Sequence, residues 1–447
     1  MESMSNGALA VSLLAACLAL AAEEEPKLAV RSCAEIAKVW AGHPVGFAFE
    51  VRDDGQYIGF YDGERRMVIG HRRPGVEKWT LQVTDERVGW DSHNSIAFGF
   101  DRDGCLHVSA NMHCRPLRYW RTERPGDVAS LKPVHRMVGT EEKRCTYPHF
   151  FAGPGGQLLF TYRDGGSGNG SNFVNAYDEK SRAWSRQMEK PLFSGEGRMN
   201  AYPTVITRDG KGLFHIAWVW RDTPDCSTNH DVSYARSRDL KAWTTSDGRP
   251  VELPMTVRNA EIVDPVPARG GMLNNVRLTF DPQGRPLVTY HKFDAAGNTQ
   301  LYTARLERGG WKIYQTTSWD YRWYFQGGGS IHAEIGYSGP TPWRDGKSLV
   351  QSFSHPKAGS GARLLDGETL QPVGEVFRLD PWPAEVRKLE SDFPGMGVRI
   401  LSREKDGVTY ALRWETLGPN RDRPRPKEQT PPPSRLLLYE LGPGNAK

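Results

Sequence analysis

Apolar residues in this chain recur in short alternating runs, seldom at helical spacing. Val232-Ser-Tyr-Ala-Arg236 and Gln300-Leu-Tyr-Thr-Ala-Arg-Leu306 show the period of two that buries one face of a strand. A turn signal of Asp or Gly, a polar residue and Gly precedes an apolar run at Asp101, Gly153, Asp209 and Asp281, with starts 52, 56 and 72 residues apart. Tryptophan marks hairpin ends at Trp79, Trp184, Trp243 and Trp311. A repeat of roughly 50–60 residues with four short strands per unit predicts an all-β chain folded as a single β-propeller, with about seven four-stranded blades. Helical periodicity is nearly absent; Ser32–Trp40 is expected to hold one helical turn or two. No break in composition divides the chain, so one domain is expected. Pro419–Ser434, rich in Pro, Arg and Lys, is expected to be a long surface loop, because Leu436–Leu441 follows as a plausible last strand. In a propeller an end strand commonly completes the blade begun at the other terminus, which hides sheet edges.

Composition narrows the function. With 47 Gly, 31 Pro and 38% hydrophobic residues, the chain is turn-rich and globular. A formal charge of +5 is too mild for a dedicated nucleic-acid protein and is compatible with an anionic partner. Residues 7–22 form an apolar run that stops at Glu23-Glu24-Glu25. The run is short for a membrane span, and Ala19-Leu20-Ala21 is a small-x-small cleavage site, so residues 1–21 are expected to be a signal peptide and 22–447 the mature propeller. The expected location is secreted or periplasmic, with lipoprotein anchoring at Cys17 as the less favoured alternative. The remaining Cys33, Cys105, Cys114, Cys145 and Cys226 are odd in number and form no C-x-x-C, so mostly buried thiols with at most one or two bridges are expected.

The candidate chemistry starts from two histidines, His93 in Asp91-Ser-His-Asn-Ser95 and His113 in Asn111-Met-His113. Tyr147 follows, before Pro148, which favours an extended backbone there. Arg163 stands before Asp164 and a glycine run ending at Gly170. Imidazole, phenol and guanidinium are the groups that β-elimination from a uronate requires: a base for the proton α to the carboxylate, an acid for the leaving oxygen, and a cation for the carboxylate. Each also has a structural alternative: a loop-bonded His, an aromatic core residue, an ion pair of Arg163 with Asp164. The glycine run lacks the Gly-Lys-Ser/Thr ending of a phosphate loop and is read as letting backbone approach a sugar or a neighbouring blade. Arg221 and Asn229-His230-Asp231 form a second polar cluster. His230 could join Asp231 on a metal, but no closely spaced ligand set accompanies them. His332 lies in Ser330-Ile-His-Ala-Glu334. Trp218, Trp220, Trp319 and Trp323 could stack on sugars, with core packing the safer expectation.

These motifs resemble the BNR-repeat-containing carbohydrate-active propellers, which include ulvan lyases and rhamnose–glucuronate lyases. The resemblance rests on the strings at 91–95, 106–113 with 116–119, 146–148, 160–170, 200–203 and 218–231, and spans roughly residues 45–335. It implies a site at one mouth of the propeller, with His93, His113, Tyr147 and Arg163 as catalytic groups. Asn94, Tyr202, Arg221, His230 and His332 would bind substrate. The implied function is a secreted polysaccharide lyase that cleaves a uronic-acid-containing glycan, with an anionic polysaccharide or oligosaccharide as partner, no nucleic acid, no membrane span and a monomeric state. No cofactor is required; a structural divalent metal is compatible with the composition. A glycoside hydrolase of the sialidase-like propeller type and a non-catalytic glycan-binding propeller are the alternatives. Ser237-Arg-Asp-Leu-Lys-Ala-Trp243 is a degenerate Asp-box, but hydrolysis normally uses two carboxylates flanking the bond.

Overall fold

A computed structural model describes residues 28–376 and 381–444. The proposed signal peptide and Cys17 lie outside the described residues. Among the described residues the strands form seven antiparallel sheets. Four have four strands each; the sheets built around Leu158–Gly166, Phe214–Arg221 and Ser348–His355 gain short extra strands. The all-β propeller expected from the repeat is the fold of the chain.

The four turn signals each join the first strand of a sheet to the second. Asp101, Asp209 and Asp281 accept a hydrogen bond from the backbone N–H four residues on, through a carboxylate oxygen, while the backbone closes the same turn. Gly104, Gly212 and Gly284 hold φ of 84°, 84° and 74°, a region that glycine enters without steric cost. Asp101 and Asp209 also hold a buried histidine six residues on, His107 and His215, each of which meets a tyrosine hydroxyl. These turns share one end of the strands. The first strand of each sheet therefore begins, and the second ends, at the opposite mouth.

The core lies between facing sheets. Phe47, Phe49 and Ile58 pack with Leu412, Trp414 and Leu438 from the last sheet, and the Phe47 and Trp414 rings stack 4.5 Å apart. Trp218 and Trp220 are fully buried with Phe193 and Trp243, and Trp319 and Trp323 are buried in a separate cluster. All four are packing residues, each contributing about 2–3 kcal/mol of burial, and none is free to stack on a sugar.

Ser32–Trp40 is not helical. Leu28–Val39 is one long strand paired with Ser434–Pro443, from Leu28 opposite Pro443 to Val39 opposite Ser434. That pairing covers the edge of Met396–Lys405, Val408–Leu417 and Ser434–Pro443, so the last sheet is completed by the first strand. Its outward face is largely exposed, which left the sequence without a clear alternation. The Pro-rich stretch is a loop, with one short 3-10 turn at Lys427–Gln429. The five cysteines among the described residues are all free thiols.

Burial also sets an acid limit on stability. His291 is fully buried, its Nδ1 against the Gly271 carbonyl at 2.7 Å, and burial lowers its pKa to about 4. The unfolded chain takes up this proton near pH 6.5 and the folded chain near pH 4, so stability is lost as pH falls between those values, by about 3 kcal/mol for this residue. His107, His149, His215 and His355 are shifted the same way, by burial first. Thermal denaturation across pH 4–7 should show a steep acid decline, and His291→Gln should flatten part of it. An unchanged slope in that variant would contradict the assignment.

Candidate active site

His93 sits in a turn just before the strand Ala97–Phe100. Asp91 builds the turn: its Oδ1 accepts from the His93 backbone N–H at 2.9 Å and lies 2.7 Å from His93 Nδ1. His113 opens a short strand, His113–Arg115, paired with Thr146 and Cys145 of the next sheet. Asn111 and Cys114 flank it with left-handed φ of 56° and 53°, which turns the chain sharply enough to aim the imidazole back at His93. His113 Nδ1 meets the other oxygen of Asp91. The two imidazoles stack with centroids 4.1 Å apart. One carboxylate thus takes both Nδ1 positions, which leaves each Nε2 available to the mouth. Burial raises the Asp91 pKa, but the hydrogen bonds from His113 and His93 outweigh it and hold the group well below the usual carboxylate range.

Asp422, from the Pro-rich loop, backs this pair. It accepts from the Ser92 N–H and hydroxyl at 3.2 and 3.1 Å and from the Ser330 N–H and hydroxyl at 2.8 and 2.7 Å. Its Oδ2 lies 3.5 Å from His93 Nδ1 and its Oδ1 lies 3.7 Å from His43 Nε2. Burial opposes ionisation here too, and the contacts from His43, Ser330 and Ser92 prevail, so Asp422 is strongly acidic.

Tyr147 stands on a bulge. The register of Cys145–Ala152 against Leu158–Gly166 shifts between Thr146 and His149, and Tyr147 has φ of 59°. It is therefore not extended as the following proline suggested; the bulge overrides that preference and lifts the ring, 37% exposed, into the mouth. Its centroid is 5.7 Å from His93 and 6.0 Å from Tyr202. Loss of water around its hydroxyl, with Tyr202 close by, pushes its phenol up, so it keeps its proton.

Arg163 and Arg221 form the floor. Both are nearly inaccessible, at 1% and 7% exposure. Arg163 Nη1 reaches the Tyr202 hydroxyl at 3.4 Å and Arg221 Nη1 reaches it at 3.3 Å, while Ser167 Oγ lies 2.7 Å from the same oxygen. Arg221 also donates to the carbonyls of Thr223, Pro224 and Asp225. The Arg163 guanidinium carbon lies 5.1 Å from the Tyr147 ring centre. Arg163 makes no ion pair with Asp164, whose Oδ1 accepts from the Arg144 N–H instead. Among the described residues, no carboxylate stands within ion-pair distance of either guanidinium. Burial raises the Tyr202 pKa, but Arg221 and Arg163 with Ser167 draw it below the ordinary tyrosine value. Two buried cations aimed at one hydroxyl create a place for negative charge. The glycine run fits beside them: a Cβ at Gly168 would come 2.6 Å from Thr223 Cα, so glycine here lets the hairpin tip touch the neighbouring sheet.

The structure thus brings His93, His113, Tyr147, Arg163, Tyr202 and Arg221 to one mouth. Asn94 is buried behind them, its carbonyl accepting from Tyr61. His230 lies beside Arg221's strand but bonds to Asp231 and Asp222, at 3.0 and 3.2 Å. His332 is exposed, two residues past Ser330, and stands apart from the hydrogen-bonded cluster. Asp91, Ser167 and Asp422 were missed by sequence reasoning. Asp91 carried a usable signal, an Asp two residues before a His. Asp91, His93, His113 and Asp422 offer ligand atoms within 4.8 Å of one another. Their chemistry suits a divalent cation, but ligands sharing one tetrahedral ion stand about 3.3 Å apart. The 2.7 Å between Asp91 and His93 is a hydrogen-bond separation.

A model of the BNR repeat-containing family matches residues 55–319. No curated protein matches the chain. Among solved structures, the polysaccharide lyase Uly1 is similar, with a TM-score of 0.62 at 14% identity, covering 94% of this chain and 100% of that one. A PL25 ulvan lyase is similar with a TM-score of 0.56 at 13% identity, covering 86% of this chain and 96% of that one. The same holds for a PL25 ulvan lyase bound to -[GlcA(1-4)Rha3S]-. At such identities the likeness is one of fold.

Proposed function

We propose, from the premise that this chain belongs to the BNR repeat-containing family, that it is a polysaccharide lyase cleaving a uronate-containing glycan by β-elimination. The observation that carries the reading is the pair of buried guanidiniums, without carboxylate partners, converging on the Tyr202 hydroxyl beside two histidines that share Asp91. Elimination places growing negative charge on the uronate carboxylate as the C5 proton leaves. Tyr202, acidified by Arg163 and Arg221, donates to that carboxylate, so the buried cations act through it. His93 takes the proton on Nε2, with Asp91 fixing the tautomer and His113 stacked alongside. Tyr147, which keeps its proton, protonates the oxygen leaving from C4. Proton abstraction and return then fall on two different groups.

Hydrolysis fits the same residues less well. Asp91 and Asp422 are the carboxylates at hand, and both are engaged by histidines and serines instead of facing each other across an open bond. The proposal includes export of a monomeric protein, on the apolar run before Glu23-Glu24-Glu25, and an anionic chain as substrate. It involves no cofactor.

The test is a panel of uronate polysaccharides, among them one of glucuronate alternating with rhamnose 3-sulfate. The expected product carries a C4–C5 unsaturated uronate, read by its ultraviolet absorbance. The rate is expected to survive a chelator. New reducing ends without that chromophore would identify a hydrolase and overturn the proposal.

A further inference from the structure

A groove lies beside Arg221. Arg221 is bonded to the backbone of Thr223, Pro224 and Asp225, and Asp225 in turn lines a groove of about 380 Å³ shared with Arg269, Phe293, Arg322 and Tyr324. The groove opens at the same mouth, because Arg221 and Phe293 both end second strands of their sheets. Tyr324 is the most exposed large hydrophobic residue described, at 69%, and its hydroxyl is steadied by Gln326 Oε1 at 3.1 Å. Its neighbour Trp323 is buried, so the chain offers one aromatic face outward and locks the next one in.

The charge is equally uneven. The guanidinium of Arg322 lies 3.8 Å from the Phe293 ring centre and donates to the Gly297 carbonyl at 2.8 Å. Among the described residues, neither Arg322 nor Arg269 has a carboxylate partner. Asp225 is occupied by the N–H groups of Ser227 and Gly327, at 2.9 and 2.7 Å. The groove therefore presents two unpaired cations and one open aromatic face, next to a site built for an anionic sugar.

We propose that this groove is a distal subsite that holds an anionic sugar unit beyond the reacting bond. The ring stacks on Tyr324, and its carboxylate or sulfate ester meets Arg269 and Arg322. This rests on the lyase reading and names where the rest of the chain lies. Without such a subsite, short and long substrates would bind alike.

The probes are a tetrasaccharide and an octasaccharide of glucuronate alternating with rhamnose 3-sulfate, and the octasaccharide after desulfation. The variant is Arg269→Ala/Arg322→Ala/Tyr324→Ala, all surface positions. KM for the octasaccharide should rise roughly ten- to a hundredfold, as expected for lost charge-assisted contacts, with kcat and tetrasaccharide kinetics unchanged. A penalty that vanishes with the desulfated octasaccharide supports the subsite with sulfate as the anion; one that persists supports it with carboxylate. Equal kinetics of variant and parent on both lengths overturns the subsite and leaves the lyase reading intact. Equal loss on both lengths overturns it too. If the parent cleaves neither probe, calorimetric octasaccharide binding decides: weaker binding by the variant upholds the subsite, unchanged or undetectable binding overturns it, and the lyase reading is judged separately on the uronate panel.

Discussion

Tyr202→Phe should lower kcat on a uronate substrate by about 10²–10³, the usual loss on removing one preorganised donor to developing charge. KM should change far less, since the demand peaks in the transition state. The variant keeps the ring, which packs with Ala217, Val219 and Tyr290, and deletes only the oxygen that Arg163, Arg221 and Ser167 address. Its melting temperature must be measured beside its rate, because two buried guanidiniums lose an acceptor. The pH profile gives a further readout. Arg221→Lys loosens one of the two cations that depress the Tyr202 pKa, so any limb that reports Tyr202 should move to higher pH. A Tyr202→Phe variant that is stable and turns over at the parent rate would remove Tyr202 from the chemistry.

Asp91→Asn should cost about 10²–10⁴ in kcat, the range for losing a correctly held acid–base group. An amide in that place can donate to an imidazole nitrogen where the carboxylate only accepts. Both histidines hang on this one group, so both lose their fixed tautomer at once. Fluctuations of the stacked rings should follow, visible as shifted and broadened histidine resonances. His93→Gln and Asp91→Asn should not be additive, since one acts through the other. Full additivity would show that Asp91 serves only the turn.

The repeat was legible because its turns obey local rules. Asp101, Asp209 and Asp281 bond to backbone only four residues away, and a glycine supplies the left-handed step. The gathering of His93, His113, Tyr147 and Arg163 was legible through motifs at strand ends, since strand ends on one side of a propeller share a mouth. Other features answer to distant partners. Leu28–Val39 is a strand because Ser434–Pro443 needs an edge partner, and nothing between Ser32 and Trp40 announces that. The bulge at Tyr147 comes from pairing across Leu158–Gly166, which defeats a preference written in the Tyr-Pro dipeptide. Tyr324 and Trp323 are adjacent aromatics, and only packing decides which is locked away. Asp422 lies 330 residues from Ser92 in a loop whose composition reads as filler.

That last contact has a bearing on how the protein comes apart. Ser92 and Ser330 meet through Asp422, and Leu28–Val39 closes the last sheet only against Ser434–Pro443. Both ties bridge parts of the chain far apart in sequence, so loosening the Pro-rich loop removes support from the turn that carries His93 and from the segment around Ser330 together. Opening of that loop and loss of order at the mouth should therefore be one cooperative event, visible as shared hydrogen-exchange rates.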